Sequence, residues 1–173
     1  TNDCQIKCPY CYMGFDRTPK FMPTDYAIDI INKLSDLGVF EIRFSGGEPF
    51  LHDDLNKIAQ HTKSLGLFTS ITTNGGYELD KLRNVEGSID KFHISIHGII
   101  QINSFPSRRF YEMAIEKMRY LKSKNKGFRI NFILARSTES YLEELVALAH
   151  EVSASINFFI YRPFGRNSYL KEV

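Results

Sequence analysis

The chain has 173 residues of which 43% are hydrophobic, enough for one domain with a real core. A formal net charge of +2, with both signs interspersed and no long Lys/Arg run, gives no footing for a nucleic-acid partner. The apolar stretches fall far short of the roughly 20 residues that cross a bilayer, and no signal peptide is visible. A membrane is therefore not an expected partner, and a reducing, cytoplasmic setting is expected.

In chain order the first feature is a loop holding all three cysteines, Cys4, Cys8 and Cys11, spaced C-x3-C-x2-C. An odd number of cysteines in one short loop makes a poor disulfide framework, because one thiol is left over and the bridge staples nothing distant. A shared metal or cluster is the better reading. Zinc normally wants a fourth protein ligand, and no CxxC or Cys/His pair recurs to supply one. Three thiolates around a 4Fe-4S cluster would leave one iron open to a substrate or cofactor.

Pro23-Thr24-Asp25 marks a helix start, and Ala27, Ile28, Ile31, Leu34 and Leu37 recur at helical spacing until Gly38. Residues 39–45 alternate as a strand and run into Gly46-Gly47-Glu48-Pro49, which can only be a loop. The same pattern predicts a helix over 55–65 and a strand over 67–73 that ends in Thr73-Asn74-Gly75-Gly76. Then follow a short helix (79–84), a strand (91–97), a helix (110–123), a strand (128–134), a helix (140–152) and a last strand (155–161). This is the rhythm of βα units on a parallel sheet. Right-handed crossovers place all strand C-termini on one edge, so Gly46-Gly47-Glu48, Thr73-Asn74, Ser95, His97 and Tyr161-Arg162-Pro163 should share one face. A doubly wound sheet would give the same alternation, and periodicity does not separate it from a barrel.

The cysteine loop, with the aromatic Tyr10 before its last cysteine, resembles that of the radical S-adenosylmethionine (SAM) enzymes. The stretch Cys8-Pro9-Tyr10-Cys11-Tyr12, followed by Gly46-Gly47-Glu48-Pro49 directly after the first strand, is most similar to the branch that matures peptides, proteins and related cofactors. Some members of that branch carry SPASM-type C-terminal extensions, and Pro163-Phe164-Gly165-Arg166 resembles the segment that leads into them. The resemblance implies an α/β fold, a partial (β/α)6 barrel, with residues 1–173 as one core domain. It implies also that the first barrel strand would lie before Thr1, leaving the cysteine loop tethered at one end only.

On the same resemblance, Cys4, Cys8 and Cys11 hold a 4Fe-4S cluster that reductively cleaves SAM to a 5′-deoxyadenosyl radical. The radical would abstract hydrogen from a peptide or protein, the electron coming from a reductant such as flavodoxin or ferredoxin. No catalytic residue is assigned beyond the cofactors. Gly46, Gly47 and Glu48 are expected at the SAM ammonium, since glycine lets a backbone approach a ligand closely and a carboxylate accepts charge-assisted hydrogen bonds; a plain strand-to-helix turn is the alternative. Ser95 matches a serine that contacts SAM, whereas His97 stands where the family often has aspartate and takes no role. Asn74 matches a Thr-Asn-Gly that lines the SAM or substrate pocket, unless it serves the turn alone. Arg109 or its neighbour Arg108, cations poorly suited to a helix N-terminus, would hold the SAM carboxylate. The rival functions are a radical SAM enzyme of small-molecule or tetrapyrrole cofactor synthesis and a non-catalytic iron–sulfur electron carrier.

Overall fold

A computed structural model describes residues 1–6, 8, 11, 18–96 and 107–160, apart from the side chains at 107, 108 and 137. Five strands, β1 (Glu41–Phe44), β2 (Phe68–Thr73), β3 (Lys91–Ser95), β4 (Gly127–Leu134) and β5 (Ser155–Ile160), alternate with helices. These are α1 (Thr24–Asp36), α2 (Leu55–Ser64), α3 (Leu79–Val85), α4 (Ser107–Ser123) and α5 (Leu142–Val152). Every neighbouring strand pair is parallel, and the sheet order is β1-β2-β3-β4-β5.

That order answers the question periodicity left open. A doubly wound sheet reverses its strand order at a switch point, whereas here each strand adds to the same side of the last. One parity of strand residues, Ile71, Phe92, Ile94, Ile130 and Phe132, is buried with Leu82 of α3, Met118 and Leu121 of α4 and Leu145 of α5. A smaller cluster joins Ala27 and Ile31 of α1 to Ile58 of α2 and Leu67. The other parity is polar: Arg43 is in register with Ser70, His93 with Arg129, and Ser95 with Asn131, which pairs in turn with Asn157. Because strand side chains alternate with period two, one face makes the core while the other forms a polar lining. This is the progression of a partial barrel. Among the described residues the sheet does not close, and β1 and β5 are its edges.

Differences from the sequence expectation are confined to element ends. The α4 helix begins at Ser107 rather than 110. The last helix begins at Leu142 rather than 140, because Arg136–Tyr141 form a 3-10 turn first. Buried Thr138 organises that turn: its hydroxyl accepts the Ala135 N–H at 2.9 Å and donates to the Ile133 carbonyl at 2.9 Å. Among the described residues no helix is long and apolar enough to cross a membrane.

Candidate cofactor-binding site

The cysteine loop is held from both sides. The Asn2 N–H donates to the Lys20 carbonyl at 3.1 Å, the Lys20 N–H donates to Asn2 Oδ1 at 2.6 Å, and Asn2 Nδ2 donates to the Thr18 carbonyl at 3.2 Å. These bonds close the segment that carries the cysteines and correct the expectation of a single tether. The same strip of main chain docks on the loop after β1. There the Gly47 N–H donates to the Thr1 carbonyl at 2.9 Å and the Glu48 N–H to the Asp3 carbonyl at 2.7 Å.

This docking explains the two glycines. A Cβ on Gly46 would stand 2.3 Å from the Thr1 carbonyl oxygen, and one on Gly47 would stand 1.8 Å from that of Asp3. Neither contact is tolerable, and Gly46 in addition has φ +134°. In the described structure the close approach is therefore made by the protein's own cysteine loop, where a ligand was the sequence expectation.

Glu48 is 1% exposed, and three donors surround its carboxylate. Oε1 accepts the Thr73 hydroxyl at 2.8 Å and the Phe50 N–H at 3.2 Å, while Oε2 accepts the Asn74 N–H at 2.8 Å. Burial pushes its pKa up to about 7, against the lowering effect of those donors and of the Lys81 charge. Two further contacts fix the loop: the Phe50 ring stacks on Tyr77 with centroids 3.7 Å apart, and Lys81 Nζ donates to the Phe50 carbonyl at 3.0 Å. Glu48 thus cross-links the ends of β1 and β2. A carboxylate has about four acceptor positions, so three donors leave one over.

Asn74 connects the carboxylate to the cysteines. Its Oδ1 accepts the Gly76 N–H at 2.8 Å and Gln5 Nε2 at 3.3 Å, while its Nδ2 lies 3.6 Å from Cys4 Sγ and 3.5 Å from Gln5 Oε1. Burial raises the Cys4 thiol pKa, opposed by donors from the Ile6 N–H and Asn74 and reinforced by the negative charges of Glu48 and Cys11.

One cavity of about 230 Å³ gathers Cys4, Cys8, Cys11, Gly46, Gly47, Glu48, Asn74 and Ser95. Motifs far apart in sequence thus meet at the C-terminal ends of β1, β2 and β3. Arg109 lies on the exposed side of α4, outside this lining. Tyr10, His97 and the 161–166 segment lie outside the described residues, as does the side chain of Arg108. Sequence reasoning missed Gln5, for which no pattern gives a signal. It missed also Thr72, which lines the cavity and whose position two residues beyond inward-facing Ser70 on β2 could have disclosed it.

No disulfide joins the cysteines. Among the described residues no three Cys, His, Asp or Glu side chains converge as ligands of a single ion. Three free thiols on one cavity are a donor set that would fit a cluster in which each thiolate takes its own iron.

A parallel βα sheet that brings cysteines and a buried carboxylate together at its strand ends is the form of a cofactor site in this fold class. The chain belongs to the Radical SAM superfamily, whose family profile matches residues 1–151. Its fold is similar to that of Streptococcus suis SuiB bound to S-adenosylmethionine, with TM-score 0.85 and 20% identity over 99% of this chain and 41% of that one. SuiB bound to its precursor peptide SuiA is similar at TM-score 0.81 and 20% identity, over 94% and 38% of the two chains. Native anSMEcpe with bound AdoMet and the Kp18Cys peptide is similar at TM-score 0.79 and 14% identity, over 100% and 53%. The chain thus spans about two fifths to half the length of these proteins.

Proposed function

We propose that residues 1–173 form the core domain of a radical SAM enzyme that modifies a peptide or protein. The observation that carries this reading is the single cavity uniting Cys4, Cys8 and Cys11 with Gly46, Gly47, Glu48, Asn74 and Ser95. Superfamily membership supports SAM-dependent radical chemistry. The fold shared with peptide-bound SuiB and anSMEcpe supports a peptide substrate.

In this reading the three cysteines hold a 4Fe-4S cluster. When bound, the cluster supplies the electron that cleaves SAM reductively, and a carrier such as flavodoxin or ferredoxin would replenish it. The chain's own residues bind and orient. Glu48 uses its remaining acceptor position for the SAM ammonium, held in place by Thr73, Phe50 and Asn74. Ser95, at the end of β3 and on the cavity, offers a hydroxyl to the ribose or carboxylate end. Tyr10 and Arg109 are assigned to the cofactor on the family resemblance alone. The backbone docking of Thr1–Asp3 on Gly47 and Glu48 keeps the cysteine loop beside the SAM end of the cavity.

Anaerobic reconstitution of the full-length protein tests this. About four iron and four sulfide per chain are expected for one core cluster, with 5′-deoxyadenosine formed on reduction in the presence of SAM. Cys8→Ala should remove both. A wild-type protein that took up only zinc, or that never formed deoxyadenosine, would overturn the reading.

A further inference from the structure

We infer that Asn74 is a positioning residue that sets the reduction potential of the cluster by donating a hydrogen bond to the Cys4 sulfur. The inference rests on the cluster assignment just proposed.

The orientation of the Asn74 amide follows from its partners. The Gly76 N–H, 2.8 Å from Oδ1, is a donor only, so the atom facing it must be the carbonyl oxygen. Flipping the amide would set NH2 against N–H. Gln5 reinforces the choice: its Nε2 donates to Asn74 Oδ1 at 3.3 Å and to the Gly76 carbonyl at 2.7 Å, while its Oε1 accepts from Asn74 Nδ2 at 3.5 Å. One amide hydrogen is thereby assigned to Gln5, and the other faces Cys4 Sγ at 3.6 Å. The main chain is fixed as well, because the Asn74 N–H is bound to Glu48 Oε2 at 2.8 Å. Asn74 is held at its backbone, its carbonyl oxygen and one amide hydrogen, which leaves it a preset donor toward sulfur.

A donor aimed at a ligating sulfur stabilises the more electron-rich state of a cluster, so it raises the potential. The effect is strengthened where the sulfur is partly withdrawn from water, and Cys4 is half-buried.

The test is an EPR-monitored redox titration of the reconstituted full-length protein without SAM, comparing wild type with Asn74→Leu and Asn74→Asp. Both variants should keep their iron and titrate at a more negative midpoint. The expected shift is at least tenfold in the one-electron equilibrium, ~59 mV, and larger for Asn74→Asp, which adds charge as well as losing the donor. Gln5→Leu removes one orienting partner but leaves the Gly76 N–H, and should give a smaller shift of the same sign. An unchanged midpoint in an iron-replete Asn74 variant overturns the inference while leaving the cluster assignment intact. Should the Asn74 variants fail to hold a cluster, pulsed EPR decides on wild type isotopically labelled only at asparagine side-chain amides. A hyperfine coupling to the cluster supports the bond, and its absence overturns it. Failure of wild type itself to take up iron would overturn the cluster assignment and this inference together.

Discussion

The Glu48 carboxylate accepts the Asn74 main-chain N–H at 2.8 Å and so joins the loop after β1 to the loop after β2. The other oxygen faces the Phe50 N–H at 3.2 Å, so backbone donors occupy both sides of the group. An amide has only one acceptor oxygen. Glu48→Gln must therefore set its NH2 against a backbone N–H whichever way it turns. A buried donor left unsatisfied costs about 1 to 3 kcal/mol, and this loss should appear in denaturant unfolding of the variant. Loss of the charge-assisted bond proposed between Glu48 and the SAM ammonium should weaken SAM binding roughly ten- to a hundredfold, read by equilibrium binding on protein of matched iron content. Reduced stability with unchanged SAM affinity would confine Glu48 to the cross-link.

The pH dependence of folding should carry the signature of the same carboxyl. Its folded pKa is raised from 4.5 to about 7 by burial. Between those values the folded chain binds more protons than the unfolded one, so stability falls as pH rises through the window and levels off above it. The full effect amounts to about 3 kcal/mol at most. Urea unfolding of the iron-free, reduced protein at several pH values should show this descending component in wild type and lack it in Glu48→Gln. Identical pH profiles for the two would mean that Glu48 ionises normally in the fold.

Gly47→Ala probes the seat of the cysteine loop. Its Cβ would stand 1.8 Å from the Asp3 carbonyl oxygen, so the loop has to lift away from Gly47 and Glu48. The variant should keep its far-UV circular dichroism and lose most of its iron. Gly38→Ala is the control: Gly38 also has positive φ, at +79°, but nothing lies within 4 Å of its added Cβ. It should cost about 1 to 2 kcal/mol of stability and leave iron content alone. Equal iron in both variants would argue that the docking seen at Thr1–Asp3 is not needed to form the cluster site.

Much of this arrangement was legible in the sequence, because helix and strand periods are local and glycines such as Gly38 and Gly66 mark helix ends. The convergence of Glu48, Asn74 and Ser95 was also legible, since parallel βα units put every strand C-terminus on one edge, whereas Cys4 was expected beside them only on the family resemblance. Strand order was not, because alternation is common to barrels and doubly wound sheets. Nor could the role of Gly46 and Gly47 be read: a glycine announces close approach, but only three-dimensional placement says that Thr1 and Asp3 are what approaches. Gln5 was silent for a similar reason, its partners Asn74 and Gly76 being about seventy residues away.

His93 supplies a second pH effect, opposite in sign to that of Glu48. It sits on the polar face of β3 and is 4% exposed, and its Nε2 has no hydrogen-bond partner among the described residues. Burial, followed by the charges of Arg43, Arg129 and Lys91, lowers its pKa from 6.5 to about 4, with Glu41 opposing. Between those values the unfolded chain binds more protons than the folded one. Stability due to neutral His93 is therefore fully present above 6.5 and is lost as pH falls toward 4. His93→Gln cannot take up this proton and should flatten the acid limb of the stability profile, while Glu48→Gln flattens the descent toward neutrality. The two windows overlap, so the wild-type curve alone would hide both. Urea unfolding of each single variant and of the double variant between pH 4 and pH 7.5 separates them. The effects should add, since His93 and Glu48 share no hydrogen-bond partner among the described residues. A His93→Gln variant whose stability falls with acid as steeply as wild type would show that the imidazole charges freely in the folded chain. In that case the polar face of β3 must admit enough water or counter-charge to screen Arg43 and Arg129.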